Sequence, residues 1–262
     1  MSLSDAQLNE LLAIATKAAL TAGKIIFDSQ GNVISTELKE GGSSLASKVV
    51  TEVDTKAEQV ILDILNPTRD TFDLGLLSEE TTDDKSRLEK HYFWCIDPLD
   101  GTLAFTQNQE GYSTSIALVN KMGVACIGVV YDPRNANLYT AIKGQGAFKN
   151  GQPFKVEPNV NEVSIIGSSG GAVMQAIWTI EQSPGLFYKK PKHEEGGGCL
   201  WDYAATSVIH SEAGGVNSSY SFKPINLNSS QTLFMNSHGV IFSAGLTNKD
   251  VNSLLTQHSV AE

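Results

Sequence analysis

The sequence predicts a protein of the α+β or α/β class, with layers of helix and sheet packed on one another. Three observations predict it. Two long segments with apolar residues at helical spacing open the chain, consecutive apolar strands separated by glycine and asparagine turns fill its middle, and helices alternate with strands again toward its end. The 262 residues, 41% hydrophobic and 18% charged, suffice to bury roughly three quarters of the surface that the unfolded chain exposes. One large domain or two intimately packed halves, 1–153 and 154–262, both suit that length.

From Ser4, in place as an N-cap, the apolar residues Leu8, Leu11, Leu12, Ala15, Ala18, Ala19 and Ala22 predict a helix to about 28. The polar segment 31–48, with Gly41-Gly42-Ser43-Ser44, reads as a mobile hairpin or loop; its Lys39 and Lys48 either approach an anionic site or stand solvated. Thr51-Glu52-Val53-Asp54 opens a second helix, and Ala57, Val60, Ile61, Ile64 and Leu65 carry it to a stop at Pro67. A short strand, 73–77, runs into Ser78-Glu79-Glu80, and an acidic connection leads to a strand over 92–96. Strands at 112–120, 124–131 and 137–142, with turns at Gly144, Gly146 and Asn150-Gly151, read as a meander in an antiparallel or mixed sheet. Past Phe154 come a strand (163–168), a helix (171–181), a strand (185–188) and the run Gly196-Gly197-Gly198. A helix from 201 to 212 then stops at Ala213-Gly214-Gly215, and a strand (239–244) and a helix (248–257) finish the chain.

Composition excludes several functions. A formal charge of −10 and a pI near 5.0 argue against a nucleic-acid polymer or an anionic membrane as partner, and the densest basic group, Lys189, Lys190 and Lys192, is followed at once by Glu194 and Glu195. An acidic protein that handles an anionic substrate needs bound cations to invert the local field. Cys95, Cys126 and Cys199 have neither pairing nor zinc spacing, which suits a reducing compartment, and Cys95 and Cys126, inside apolar runs, read as inert core thiols. With no apolar signal core or membrane span, the expected location is cytoplasmic.

The chemistry concentrates in Trp94-Cys95-Ile96-Asp97-Pro98-Leu99-Asp100-Gly101-Thr102. An apolar strand ends at Asp97, which is placed to cap a helix whose first residue is Pro98. Asp97 and Asp100, three apart on that first turn, then present two hard oxygen ligands suited to Mg²⁺. Gly101 and Thr102 offer N–H groups at the helix terminus for a phosphate. A solvated strand-to-helix turn explains the same residues equally well. Asp54, Glu79 and Asp202 also stand at element ends, where several carboxylates can line a cleft holding more than one divalent cation.

Taken together, Val50-Thr51-Glu52-Val53-Asp54, Ser78-Glu79-Glu80-Thr81, the Trp94–Thr102 stretch, and Trp201-Asp202-Tyr203-Ala204-Ala205 through Glu212-Ala213-Gly214-Gly215 resemble, in order, the signatures of the inositol monophosphatase superfamily. That superfamily includes inositol monophosphatases and 3′(2′),5′-bisphosphate nucleotidases. The resemblance implies an αβαβα sandwich of the sugar-phosphatase type with a metal site between the two halves. It implies one Mg²⁺ on Glu79, Asp97 and the Leu99 carbonyl, a second on Asp97, Asp100 and Asp202, and a third, weaker ion reached by Glu79. Gly101 and Thr102 would hold the phosphate, and the Thr102 hydroxyl, with Asp54 or Glu79 behind it, would orient the attacking water. The implied activity is a Mg²⁺-dependent phosphomonoesterase acting on a small soluble ester, inositol monophosphate or 3′-phosphoadenosine 5′-phosphate. Lithium sensitivity and a tendency to homodimerise are implied in the same way.

The departures concern the substrate more than the reaction. Ser78 stands where the family usually has glycine, and Lys48 where many inositol monophosphatases have an aspartate. Glu195, seven residues before Asp202, matches a glutamate that binds an inositol hydroxyl, yet it lies in Lys192-His193-Glu194-Glu195-Gly196-Gly197-Gly198, unlike that group. A phosphatase for another sugar or polyol phosphate, and a non-catalytic metal- or nucleotide-binding module of the same fold, are the alternatives. A calcium sensor is not, because no EF-hand loop is present.

Overall fold

A computed structural model describes residues 2–30, 36–38, 49–157, 162–167, 169–196 and 198–259. Lys39, Lys48 and Gly41-Gly42-Ser43-Ser44 lie outside these residues. The flanks of that segment, β1 (Thr36–Leu38) and β2 (Val49–Thr51), pair antiparallel.

Five layers stack as αβαβα. The outer layer holds α1 (Asp5–Asp28) and α2 (Glu52–Phe72). Ser4 caps α1 in a reciprocal capping box with Gln7, as its hydroxyl foretold. Next comes a seven-stranded sheet in chain order: β3 (Gly75–Ser78), β4 (Tyr92–Asp100), β5 (Ser113–Asn120), β6 (Ala125–Asp132), β7 (Asn137–Ile142), β8 (Gly146–Lys149) and β9 (Gln152–Pro153). Only β3 and β4 pair in parallel; the rest is the expected antiparallel meander. The middle layer is α5 (Ala172–Glu181) and α6 (Leu200–Glu212). A four-stranded sheet follows, ordered β10 (Ser164–Ile165), β11 (Gly185–Lys189), β13 (Val240–Ala244) and β12 (Val216–Ser218), with α7 (Asn248–Ser259) outside it. Two short helices, α3 (Ser86–Glu89) and α4 (Thr102–Thr106), flank β4. Among the described residues, no helix is long and apolar enough to cross a membrane.

Strand periodicity explains the layering. In β4 and β5, Trp94, Ile96, Ile116 and Leu118 pack against Leu11, Ala15, Ala57 and Ile61 of the outer helices, whereas Phe93, Cys95, Ala117 and Val119 face α5 and α6. In the smaller sheet Phe187 and Phe242 point to that same middle layer, and Leu186 and Ile241 meet Val251 and Leu255 of α7. The inner core therefore takes side chains from both sides of residue 153.

Two differences from expectation have their cause in neighbouring elements. Pro67 does not stop α2, which continues to Phe72. The buried Thr68 just beyond it accepts a bond from Trp94 Nε1 (2.9 Å) and donates to the Leu65 carbonyl (2.6 Å), so packing holds the turn that the proline disfavours. The second difference lies in β4. The strand runs on through Pro98 to Asp100, and helix α4 begins only at Thr102 with Gly101 as its N-cap, so Asp97 caps nothing and Pro98 opens no helix. Asp97 pairs with Ser115 and Asp100 with Ser113, which leaves one extra residue on β4, a bulge. Proline fits there because the shifted ladder does not use its missing N–H, and its carbonyl accepts from Thr114 Oγ1 (2.9 Å).

Candidate active site

In a regular strand, residues three apart point to opposite faces. The bulge between Asp97 and Asp100 removes that conflict and turns both carboxylates toward the middle layer. There Asp202, at the third position of α6, meets them: one oxygen from each of Asp97, Asp100 and Asp202 lies within 4.8 Å of the others. Asp202 is itself held by the backbone N–H of Cys199 (3.0 Å).

The remaining acids arrive from two other elements. Glu79 follows the last residue of β3, and its N–H donates to the Ile96 carbonyl (3.2 Å), tying it to β4. Asp54 is buried in the first turn of α2, where its Oδ2 accepts from the Thr102 hydroxyl (3.3 Å); the Leu99 carbonyl is a second acceptor for that hydroxyl (3.1 Å). Burial first, then the charges of Glu79, Asp100, Asp202 and Asp54, push the Asp97 carboxyl well above the usual carboxylate range. The Asp100 carboxyl is raised by burial and Asp202, while the Val173 N–H and the Lys189 charge draw it back.

Asp100 also joins the two halves of the chain. Its carboxylate oxygens accept from the N–H groups of Ala172 (3.1 Å) and Val173 (2.9 Å), the otherwise unsatisfied donors at the start of α5. Gly171 permits this approach, since a Cβ there would lie 2.0 Å from Asp100 Oδ2.

The donor set fits a hard divalent cation. It is all oxygen, Asp97 and Asp100 are buried and Asp202 half-buried, and Asp97 Oδ1 has no hydrogen-bond partner among the described residues. Glu195 does not join it: like His193 it is exposed, and it makes no hydrogen bond to the acidic cluster among the described residues. Two neighbours that the sequence reading does not single out stand beside the cluster. Lys189, read only as part of a basic trio, ends β11 with its ammonium 5.8 Å over the Tyr203 ring. Glu58 is buried four residues after Asp54, and that spacing, which puts both on one helix face, is the signal that could have found it.

Known proteins carry the same arrangement of sequence and fold. The family profile described as "Inositol monophosphatase family" matches residues 7–179. An inositol-1-monophosphatase of Synechocystis is 30% identical over 257 residues, covering 89% of this chain and 87% of the relative. A protein named Nus factor SuhB from Salmonella typhimurium is 30% identical over 237 residues, covering 81% of this chain and 86% of its own length. The solved structure of a Thermotoga maritima IMPase superposes with a TM-score of 0.73 at 27% identity, covering 94% of this chain and 98% of that one. By these matches, the chain belongs to the inositol monophosphatase family.

Proposed function

We propose that the chain is a Mg²⁺-dependent phosphomonoesterase acting on a small soluble phosphate ester. The observation that carries the reading is the convergence of Asp97, Asp100 and Asp202 within 4.8 Å, with Glu79 and Asp54 close enough to raise Asp97. Glu79, Asp97, the Leu99 carbonyl, Asp100 and Asp202 would hold two or three ions. Bound there, a divalent cation supplies Lewis-acid charge to the phosphoryl oxygens and the departing alkoxide. The chain's own residues do the rest. With its proton directed to Asp54 or the Leu99 carbonyl, the Thr102 oxygen keeps lone pairs to accept a hydrogen bond from a water and aim it at phosphorus. Glu79 is the base for that water, and the N–H groups of Gly101 and Thr102 hold equatorial phosphate oxygens.

Inositol monophosphate and 3′-phosphoadenosine 5′-phosphate remain the leading substrates. Lys189 favours the second, since a cation beside an acidic cluster suits an ester with another anionic group. The likeness to a protein named Nus factor SuhB favours a second reading, a binding role for the same fold. Phosphate release from both esters, with and without Mg²⁺, separates the readings. The enzyme reading expects Mg²⁺-dependent release from at least one, abolished in Asp97→Asn with the circular-dichroism spectrum unchanged. No release from these or other sugar phosphates overturns it.

A further inference from the structure

Glu58 has no part in the chemistry above, yet the residue is only 6% exposed and makes no ion pair among the described residues. A buried carboxylate of this kind is held by hydrogen bonds or not at all. Its hydrogen-bond partners among the described residues flank one residue: Oε1 accepts from the Ser78 hydroxyl and from the Glu80 N–H (3.1 Å), and Oε2 accepts from the Thr81 hydroxyl (2.9 Å).

We propose that Glu58 is a positioning residue that clamps the main chain on both sides of Glu79 and so fixes the direction of the Glu79 carboxylate. The clamp gives the departure at Ser78 a role, because glycine there would have no hydroxyl for Glu58. One face of α2 thereby sets two parts of the site, Asp54 acting on Thr102 and Glu58 acting on residues 78–81. The Glu79 N–H bond to Ile96 ties the chain to β4 at residue 79, and the clamp adds holds on residues 78, 80 and 81.

The proposal rests on Glu79 being a metal ligand, and the test keeps the two ideas apart. Glu58→Gln preserves shape but replaces one acceptor oxygen with a donor. Mg²⁺ alone is titrated into the full chain by calorimetry, and hydrogen exchange is followed at the amides of residues 79–81. The expected result is a folded variant with Mg²⁺ affinity lowered about 10- to 100-fold, faster exchange at Glu80, and activity restored by raising Mg²⁺. Thr81→Val, which removes one bond at a half-buried position, should show a smaller shift in the same direction and serves if Glu58→Gln does not fold. Wild-type affinity and wild-type exchange in folded Glu58→Gln overturn the clamp. Faster exchange in a protein whose wild type binds no Mg²⁺ overturns the metal reading instead and leaves the clamp standing.

Discussion

Thr102 has one proton and two acceptors, the Asp54 carboxylate and the Leu99 carbonyl, so its oxygen is left as an acceptor toward the cleft. Thr102→Ala should lower kcat by about 10²-fold or more with little change in Mg²⁺ affinity, and Thr102→Ser should recover most of it, as read by phosphate release. Lys189→Ala should raise KM for 3′-phosphoadenosine 5′-phosphate about tenfold and leave an inositol monophosphate near its starting value. Equal effects on both esters would remove Lys189 from substrate choice. His210 offers a pH test away from the cluster. It is fully buried, and since Thr179 Oγ1 donates its proton to the Ala176 carbonyl, the Nε2 contact at 2.9 Å must be a donation from the ring. Burial lowers its pKa to about 3, against 6.5 for an ordinary histidine. Between those values the unfolded chain binds the proton and the folded chain does not. The stability this gives is full above pH 6.5 and falls with acidity by roughly 1.4 kcal/mol per pH unit in that window. Urea midpoints at pH 5 and pH 7 should differ less in His210→Gln than in the wild type.

The strand β4 shows best what periodicity tells and what it hides. Its apolar core was legible, as were the acids at its end, because alternation and residue type are local properties. The bulge was not: Asp-Pro-x-Asp-Gly is equally good chemistry for a helix start, and only the partner strand β5, with Ser115 opposite Asp97 and Ser113 opposite Asp100, decides between them. The helix past Pro67 is hidden for the same reason, since Trp94, whose ring N–H bonds Thr68, comes from another element. The contact of α6 with β6 is a further case. Gly128 lies in β6, where a Cβ would stand 2.5 Å from the Ala205 carbonyl and 2.7 Å from Val208. Gly128→Ala should cost about 2 kcal/mol in a denaturant titration, because helix and sheet must part to admit the methyl. An unchanged midpoint would mean that the two elements slide freely.

For the whole molecule, the order of the acids along the chain was readable from the residues, and their meeting was implied only through the family resemblance. Asp54, Glu79, Asp97 and Asp100 precede residue 153, whereas Asp202 follows it, and no spacing rule joins positions so far apart. Helix and sheet content alone suggested layers, and the five-layer αβαβα order came only through the family resemblance, because it depends on α5 and α6 lying between two sheets, which is a tertiary fact. The pairing of Asp100 with the start of α5 was equally hidden, because it needs Gly171 to let the carboxylate in.

The same stacking has a bearing on synthesis. A ribosome releases all seven strands of the large sheet before the first residue of α5, so the face bearing Phe93, Cys95, Ala117, Val119 and Tyr139 is made before its helical cover, whereas α1 and α2, which cover the opposite face, precede the strands in the chain. In that interval Asp100 lacks the amides of Ala172 and Val173, and Asp97 lacks Asp202. A chain that ends before α6 therefore exposes that apolar face and carries an acidic cluster without Asp202.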